Sequence, residues 1–142
     1  MRIGWVVVAL SLVLAQPPAS GEEARTVKIR LTFDGKAVEA TLLDNATARD
    51  LLSLLPITLT LEDYAATEKI GYPPRKLSTA GAPAGVDPSV GDIAYYAPWG
   101  NLAFFYKDFR YSAGLVRLGR IDSGLELLNA PGRLGVKVER AD

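Results

Sequence analysis

Residues 91–122 constrain the fold most, because they hold three short strand-like runs in close succession. The runs Asp92–Ala97, Leu102–Tyr106 and Leu115–Ile121 are rich in aromatic and β-branched residues, and the joint Ala97-Pro98-Trp99-Gly100-Asn101 separates the first two. Short, closely spaced β runs with Gly and Pro between them are typical of a compact antiparallel barrel or sandwich. The pattern therefore predicts a mainly β domain.

Alternating apolar and polar residues predict further strands on both sides of this stretch. Residues 27–33 and 36–43 both alternate and are joined by Asp34-Gly35, a strong two-residue hairpin signal. Residues 57–61 alternate as well, and Val136–Val138 has the composition of a final strand. Together with the central runs, these segments predict about eight strands.

Two short helices are predicted between the strands. The first follows a capping residue, Asn45 or Thr47, and ends before Pro56. Its apolar face contains Leu51, Leu52, Leu54 and Leu55. Such a helix would plug one mouth of a barrel or cover an open side. The second helix covers residues 123–128.

Two other segments lack a regular pattern. Residues 62–76 are mixed and contain a stiff bend at Tyr72-Pro73-Pro74, while residues 78–90 are rich in Gly, Ala and Pro and are predicted to form a long surface loop. The apolar faces of the regular segments are predicted to form the buried core. Its expected members include Phe33, Leu42, Leu52, Leu59 and Val116.

The N-terminal residues have the pattern of an export signal. Arg2 supplies a positive charge, and Ile3–Ala15 is an apolar run of thirteen residues interrupted at only two positions. This run is shorter than the roughly 20 residues that a membrane-spanning helix needs, but it fits the apolar region of a signal peptide. Residues 1–24 are therefore predicted to be a signal peptide and flexible linker, followed by one domain over residues 25–142.

Export to the periplasm or the medium follows from this prediction. A lipoprotein anchor would need a Cys near the cleavage point, and the chain has none. We therefore expect no stable membrane anchor after the leader is cleaved. The alternative is an N-terminal extension that stays attached.

The composition excludes several classes of function. The chain has 16 basic and 16 acidic side chains, and no basic run exceeds the pair Arg75-Lys76, so it lacks the basic cluster of a nucleic-acid binder. Because it contains neither His nor Cys, it cannot form a Ser-His-Asp triad, a Cys-His pair or a typical zinc site. The carboxylates are scattered, and the adjacent Glu62 and Asp63 would face opposite sides of a strand. We expect no nucleic-acid partner, no metal and no cofactor.

Four phrases of the sequence resemble the cyclophilin-like proteins, and specifically their small prokaryotic branch of uncharacterised function. These phrases are LLSLLPITLTLEDYA (51–65), KIGYPPRKLS (69–78), GDIAYYAPWGNLAFFYKDF (91–109) and GLVRLGRIDSGLELL (114–128). Together they cover most of residues 27–139. The resemblance implies a closed eight-stranded β-barrel with one or two short capping helices.

The best-known cyclophilins are peptidyl-prolyl isomerases, and the resemblance implies where their site residues would fall. Their site combines an Arg, a Gln and a Phe alternating on one strand, a Trp and a His. Phe105 matches the hydrophobic proline-pocket position, but Ala103 stands where Gln would be and Leu115 where His would be. The Trp position holds no Trp, and Arg75 is the nearest candidate in chain order for the catalytic Arg. Most of the isomerase site is therefore absent.

Aromatic side chains are the main candidates for a binding surface. Neighbouring residues of a strand face opposite sides, so Phe104 and Phe105 cannot both fill the core. Trp99 lies in a turn, where its ring either folds back as a lid over the barrel or forms part of a binding surface. Tyr72 and Arg75 are candidates to line the same groove as Phe105.

Three hypotheses about function follow. The first is a non-enzymatic domain that binds a small molecule or an extended peptide in an aromatic groove, for which the candidate ligand-binding residues are Phe105, Trp99, Tyr72 and Arg75. The second is an atypical prolyl isomerase in which Arg75 and Phe105 do part of the usual work. The third is an enzyme of another class on the same barrel. No catalytic residue is assigned.

Overall fold

The structure, a computed structural model, describes residue 4 and residues 25–142. The predicted signal peptide and linker over residues 1–24 therefore lie, but for one residue, outside the described part of the chain. Within that part, no helix has the length and apolar character needed to cross a membrane.

Ten strands make up nearly half of the described chain. They are β1 (Val27–Phe33), β2 (Lys36–Leu42), β3 (Ile57–Tyr64), β4 (Glu68–Gly71), β5 (Gly85–Val86), β6 (Asp92–Tyr96), β7 (Asn101–Phe105), β8 (Ser112–Ala113), β9 (Leu115–Ile121) and β10 (Leu134–Arg140). Eight of them close a barrel in the order β1-β10-β3-β4-β7-β6-β9-β2, and β5 pairs with β8 as a separate two-stranded sheet. Each strand pair in the barrel is antiparallel. The predicted mainly β fold with a closed eight-stranded barrel is confirmed.

The first hairpin forms where the sequence places it. Asp34 and Gly35 connect β1 to β2 with φ angles of 47° and 80°. Positive φ at both central residues is what the tight turn between two twisted antiparallel strands requires. The turn fixes the register, in which Phe33 lies opposite Lys36.

One strand of the barrel was missed by the sequence analysis. β4 lies inside the segment described above as mixed, and it closes the barrel between β3 and β7. It has only four residues, two of them charged and one a glycine, so the alternation that marks the other strands is too short to recognise. This strand is also the one that positions the candidate site.

Inward-facing side chains fill the barrel with one hydrophobic core. All five predicted core residues are buried, with relative exposures between 0% and 7%: Phe33, Leu42, Leu52, Leu59 and Val116. Tyr95 and Phe104 belong to the same cluster, so one member of each adjacent aromatic pair enters the core. This division is the one predicted for Phe104 and Phe105 from the two-residue period of a strand.

One α-helix, α1 (Ala46–Leu54), and a short 3-10 helix (Leu125–Asn129) complete the fold. Asn45 caps α1, because its side-chain oxygen accepts a hydrogen bond of 2.8 Å from the backbone N–H of Ala48. The buried face of α1 joins the barrel core through Ala48, Leu51 and Leu52. The 3-10 helix adds Leu128 to the same core.

Candidate functional site

A second hydrophobic cluster lies on the outside of the barrel wall. It consists of Ala94, Ala103, Phe105 and Leu115, which come from β6, β7 and β9. These residues alternate with the core residues of the same strands and therefore face the opposite way. Phe105 is only 1% exposed, although it lies on the outer face, because other segments of the chain cover it. The edge of this covered cluster opens into a groove.

Strand pairing brings three side chains of the groove into one row. On the outer face, Tyr64 at the end of β3 lies opposite Glu68 on β4, and Glu68 lies opposite Phe105 on β7. Directly opposed side chains of antiparallel strands have Cβ atoms about 4.5–5.5 Å apart. The Glu68 side chain is therefore flanked by an aromatic ring on each side.

Trp99 forms part of the groove wall. The turn after β6 is closed by a 3.2 Å hydrogen bond from the Trp99 N–H to the carbonyl of Tyr96. The indole meets Tyr64 and Tyr96 edge to face, with ring centroids 5.2 Å and 5.3 Å away. It remains 48% exposed. The ring therefore lies on the outer side of the barrel wall, where it lines the groove.

The opposite wall is the segment of residues 109–113. Its last two residues form β8, in which Ser112 pairs with Val86 of β5. Gly85 permits this approach, because a Cβ atom there would collide with the carbonyl oxygen of Ser112. The next residue, Gly114, donates its N–H to the carbonyl of Ala84 over 2.8 Å. The small sheet thus holds the wall against the barrel.

The groove between these walls has a volume of about 380 Å³. Among the described residues, six large hydrophobic side chains are exposed, and four of them line this one groove: Tyr64, Trp99, Phe109 and Tyr111. The remaining lining residues are Glu68, Tyr96, Phe105, Arg110, Ser112, Ala113 and Leu115. Exposed aromatic side chains gathered in one concave patch mark a binding surface more often than rings scattered singly.

Glu68 is the acidic side chain of the groove. Burial among the rings disfavours its charged form and raises the pKa of its carboxyl group to about 7 from an ordinary value of 4.5. Within residues 25–142, no basic side chain forms an ion pair with it. The carboxylate therefore enters the groove without an ion-pair partner among the described residues.

Arg110 is the basic side chain of the groove, and it lies on the rim. Its guanidinium carbon stands over the ring of Phe109, 4.9 Å from the centroid. The residue is exposed. One ring of the groove thus already carries a cation on its face, in the arrangement that the ring quadrupole favours.

The structure places Arg75 away from the groove. Its guanidinium makes two hydrogen bonds to the Asp50 carboxylate on α1, of 2.7 Å and 2.9 Å, and the backbone N–H of Ser78 donates to the same carboxylate over 2.7 Å. The Arg75 hydrogen bonds, followed by that from Ser78, lower the pKa of Asp50 to about 2. Arg75 therefore ties the segment after the proline bend to the helix.

Tyr72 does not join the groove either. Its side chain is 59% exposed, and it is absent from the groove lining. Of the four candidate ligand-binding residues, the structure brings Trp99 and Phe105 together and leaves Tyr72 and Arg75 elsewhere. The bend at Pro73-Pro74 directs the chain toward α1 instead, where Leu77 is buried and its N–H donates to the Tyr95 hydroxyl over 3.0 Å.

Two of the positions implied by the isomerase resemblance, those of the Gln and the His, are occupied by side chains without hydrogen-bond donors. Ala103 and Leu115 are 0% and 3% exposed and belong to the hydrophobic cluster beneath the groove. Phe105 is the matching residue that touches the groove. In the described part of the chain, no three His, Cys, Asp or Glu side chains come close enough together to hold a metal ion.

Sequence reasoning missed Tyr64, Glu68 and Tyr111. The signal that could have found the first two is the pairing of β3 with β4, because it sets Tyr64 opposite Glu68. That pairing could not be inferred while β4 was unrecognised. Tyr111 depends on the short pairing of β5 with β8, two strands of two residues each, which no pattern marks.

Comparison with known proteins agrees with this architecture. A model of the cyclophilin-like family matches residues 31–139, well over half of the chain. No curated protein matches the sequence. Four solved chains match, among them the solution structure of a hypothetical protein from Archaeoglobus fulgidus, with 23% identity and a TM-score of 0.58 over 81% of this chain and 95% of that one. At that identity the likeness supports the fold alone. The family match begins within β1 and ends within β10, and the chain belongs to the cyclophilin-like family.

Proposed function

We propose that this chain is an exported binding domain that holds a small molecule or an extended peptide in the aromatic groove outside its barrel. The observation that carries the proposal is the concentration of exposed rings in one concave site. Leaving these rings in contact with water has a free-energy cost that binding would remove. A volume of about 380 Å³ is suited to one small ligand or to a few peptide side chains.

The site lacks the polar groups that prolyl isomerisation needs, and this favours binding without catalysis. Isomerase chemistry of the cyclophilin type needs a positioned guanidinium and a donor on the neighbouring strand. Ala103 and Leu115 supply no donor, and the Arg75 guanidinium is already bound to Asp50. The groove retains the hydrophobic component of such a site, Phe105, without its polar partners.

Ligand retention and tryptophan fluorescence test the proposal. The chain has two tryptophans, so a Trp5→Phe background leaves Trp99 as the single reporter. We expect native mass spectrometry to detect a retained molecule, or a panel of short extended peptides to shift the Trp99 emission. Trp99→Ala should weaken binding at least tenfold, as followed by calorimetry. Tyr72→Ala is the matched control, because it removes an equally exposed ring outside the groove. Equal losses in both variants would contradict the proposal.

The second candidate function, atypical prolyl isomerisation, is favoured by the position of Phe105 in the groove. Uncatalysed isomerisation takes tens to hundreds of seconds, so even modest catalysis is easy to detect. We expect weak or absent acceleration on standard Xaa-Pro peptides. Efficient acceleration that Arg75→Ala abolishes in a folded protein would replace the binding proposal with the isomerase.

Export is the part of the proposal that depends on residues 1–24. The apolar run of thirteen residues supports a cleaved leader. Intact-mass measurement on the protein from its native host should give a chain that begins after the apolar run. A mass that retains Met1 or Arg2 would contradict export by this route.

A further inference from the structure

The groove combines aromatic rings with one acidic side chain, and both kinds of group attract cations. Glu68 lies between Tyr64 and Phe105 in the cross-strand row, and Trp99 stands against Tyr64. Ring faces attract cations through their quadrupoles, and a carboxylate attracts them through its charge. A neutral ligand would gain at most a hydrogen bond from Glu68, and an anionic ligand would be repelled by its charged form.

Other charged and titratable side chains around Glu68 leave its charge uncompensated. Those that line the same groove are Tyr64, Tyr96, Arg110 and Tyr111. Behind the wall, the Tyr106 hydroxyl donates to Asp63 over 3.0 Å, and its pKa is raised by burial first, then by Asp63 and more weakly by Glu68. Arg110 is the basic side chain that lines the groove, but its guanidinium lies over Phe109, and within residues 25–142 it forms no ion pair with Glu68.

We propose that the groove selects a compact organic cation, an alkylated ammonium group, with Glu68 as its counter-charge and Trp99, Tyr64 and Phe105 as its aromatic walls. This inference rests on the proposed binding function and names the ligand class of the same site. A metal ion is a poor match, because one carboxylate amid rings replaces few of the oxygens of its hydration shell. An alkylated ammonium is more weakly hydrated, and its methyl groups suit the ring faces.

A pH dependence follows from the same geometry. Because burial raises the pKa of Glu68 to about 7, the carboxyl is largely neutral at pH 5.5 and largely charged at pH 8.5. A quaternary ammonium keeps its charge across this range. Its affinity should therefore rise with pH, and the cation should lower the pKa of Glu68 as it binds.

Choline and its neutral carbon analogue, 3,3-dimethylbutan-1-ol, are the probes that test this inference. They have nearly the same shape and differ in charge. In the Trp5→Phe background, we expect choline to bind about tenfold more tightly than the alcohol at pH 8.5 and to lose most of this preference at pH 5.5. Glu68→Gln should remove the preference at both pH values. Glu62→Gln, which removes a carboxylate on β3 that pairs with Arg133 outside the groove, should leave the preference intact.

The outcomes separate the ligand class from the binding function. If the alcohol binds as well as choline, and Trp99→Ala abolishes both, the groove binds ligands but the cation inference is wrong. If neither probe binds, the cation inference is wrong, and the peptide panel and ligand-retention measurement then decide the binding function on their own. Arg110→Gln removes a like charge and should leave choline binding equal or tighter. A loss of choline affinity in that variant would contradict the expected repulsion between Arg110 and the bound cation and overturn the inference.

Discussion

The two faces of β4 differ in whether their charged side chain has an ion-pair partner. Lys69 faces inward and is fully buried, and its ammonium donates to the Asp63 carboxylate over 2.9 Å and to the carbonyl of Gly132 over 3.3 Å. Glu68, the preceding residue, faces outward, is half-buried and has no ion-pair partner within residues 25–142. One strand of four residues thus carries both a satisfied charge and an unsatisfied one.

The two charged side chains therefore have different roles. The paired charge on the inner face stabilises the barrel, and the unpaired charge on the outer face is available to a ligand. A charge inside the wall must be paired, because leaving it unpaired would cost more than the fold can lose. The hydrogen bond from Lys69 is also the largest cause that lowers the pKa of Asp63. A charge left unpaired in a groove reduces stability and remains available for binding. The inner face therefore maintains the fold, and the outer face carries the candidate site.

The largest expected effect on the free energy of unfolding comes from removing an aromatic ring of the core, compared with removing a ring of the groove. Phe104 is 1% exposed in the core, whereas Trp99 is 48% exposed. Phe104→Ala should lower the free energy of unfolding by about 3–5 kcal/mol, through lost burial and a cavity. Trp99→Ala should cost less, about 1–3 kcal/mol, which is the scale of its two edge-to-face contacts with tyrosines. Denaturant titration of the two variants checks this difference, and similar losses would mean that the groove is part of the core.

Removing the buried ammonium of Lys69 is expected to have an intermediate effect on stability. Lys69→Met keeps the aliphatic stem and deletes the ammonium, so it should destabilise the protein by about 1–3 kcal/mol through its lost hydrogen bonds to a charged group. Lys36→Met, at an exposed position of β2, is the control and should change stability by less than about 0.5 kcal/mol. Thermal unfolding of both variants at pH 7 gives the comparison. An unchanged Lys69→Met protein would show that the buried ion pair contributes no stability.

The smallest expected effect is a gain in stability, whereas the two preceding variants lose stability. The pKa of Glu68 is higher in the folded protein, about 7, than its ordinary value of 4.5, so the folded state binds the extra proton between these values and loses stability as pH rises through them. Glu68→Gln should therefore stabilise the protein at pH 8 by on the order of 1 kcal/mol, a figure reduced for the partial solvent exposure of the carboxyl. The gain should vanish near pH 4. Chemical denaturation of wild type and variant at both pH values measures it, and a destabilised variant at pH 8 would reveal a partner for Glu68.

The fold could be predicted largely because its signals are local. The two-residue period of β1, β2 and β3 separates inward from outward side chains, and Asp34-Gly35 specifies a hairpin whatever lies beyond it. Asn45 acts on the first turn of α1 three residues away. The resemblance to cyclophilin-like proteins supplied the closure of the barrel, which no single segment encodes.

The candidate site could be predicted only in part because it is assembled from distant contacts. Trp99 and Phe105 are six positions apart and were found together. Glu68 enters the site through the pairing of β4 with β7, across more than thirty residues of sequence. Arg75 was assigned to the groove on chain order, but its partner proved to be Asp50 on α1. Short strands and long-range ion pairs leave no periodic trace in the sequence.

Titration of the Glu68 side chain is the measurement that tests most directly whether the groove holds an uncompensated charge. NMR of the side-chain carboxyl carbon, assigned by its absence in Glu68→Gln, should give a midpoint near pH 7 in the free protein. Asp50, paired with Arg75, should titrate near pH 2 in the same spectra. Added choline should move the Glu68 midpoint downward and leave that of Asp50 unchanged. A Glu68 midpoint close to 4.5, unaffected by choline, would contradict the distinction drawn between the two faces of β4.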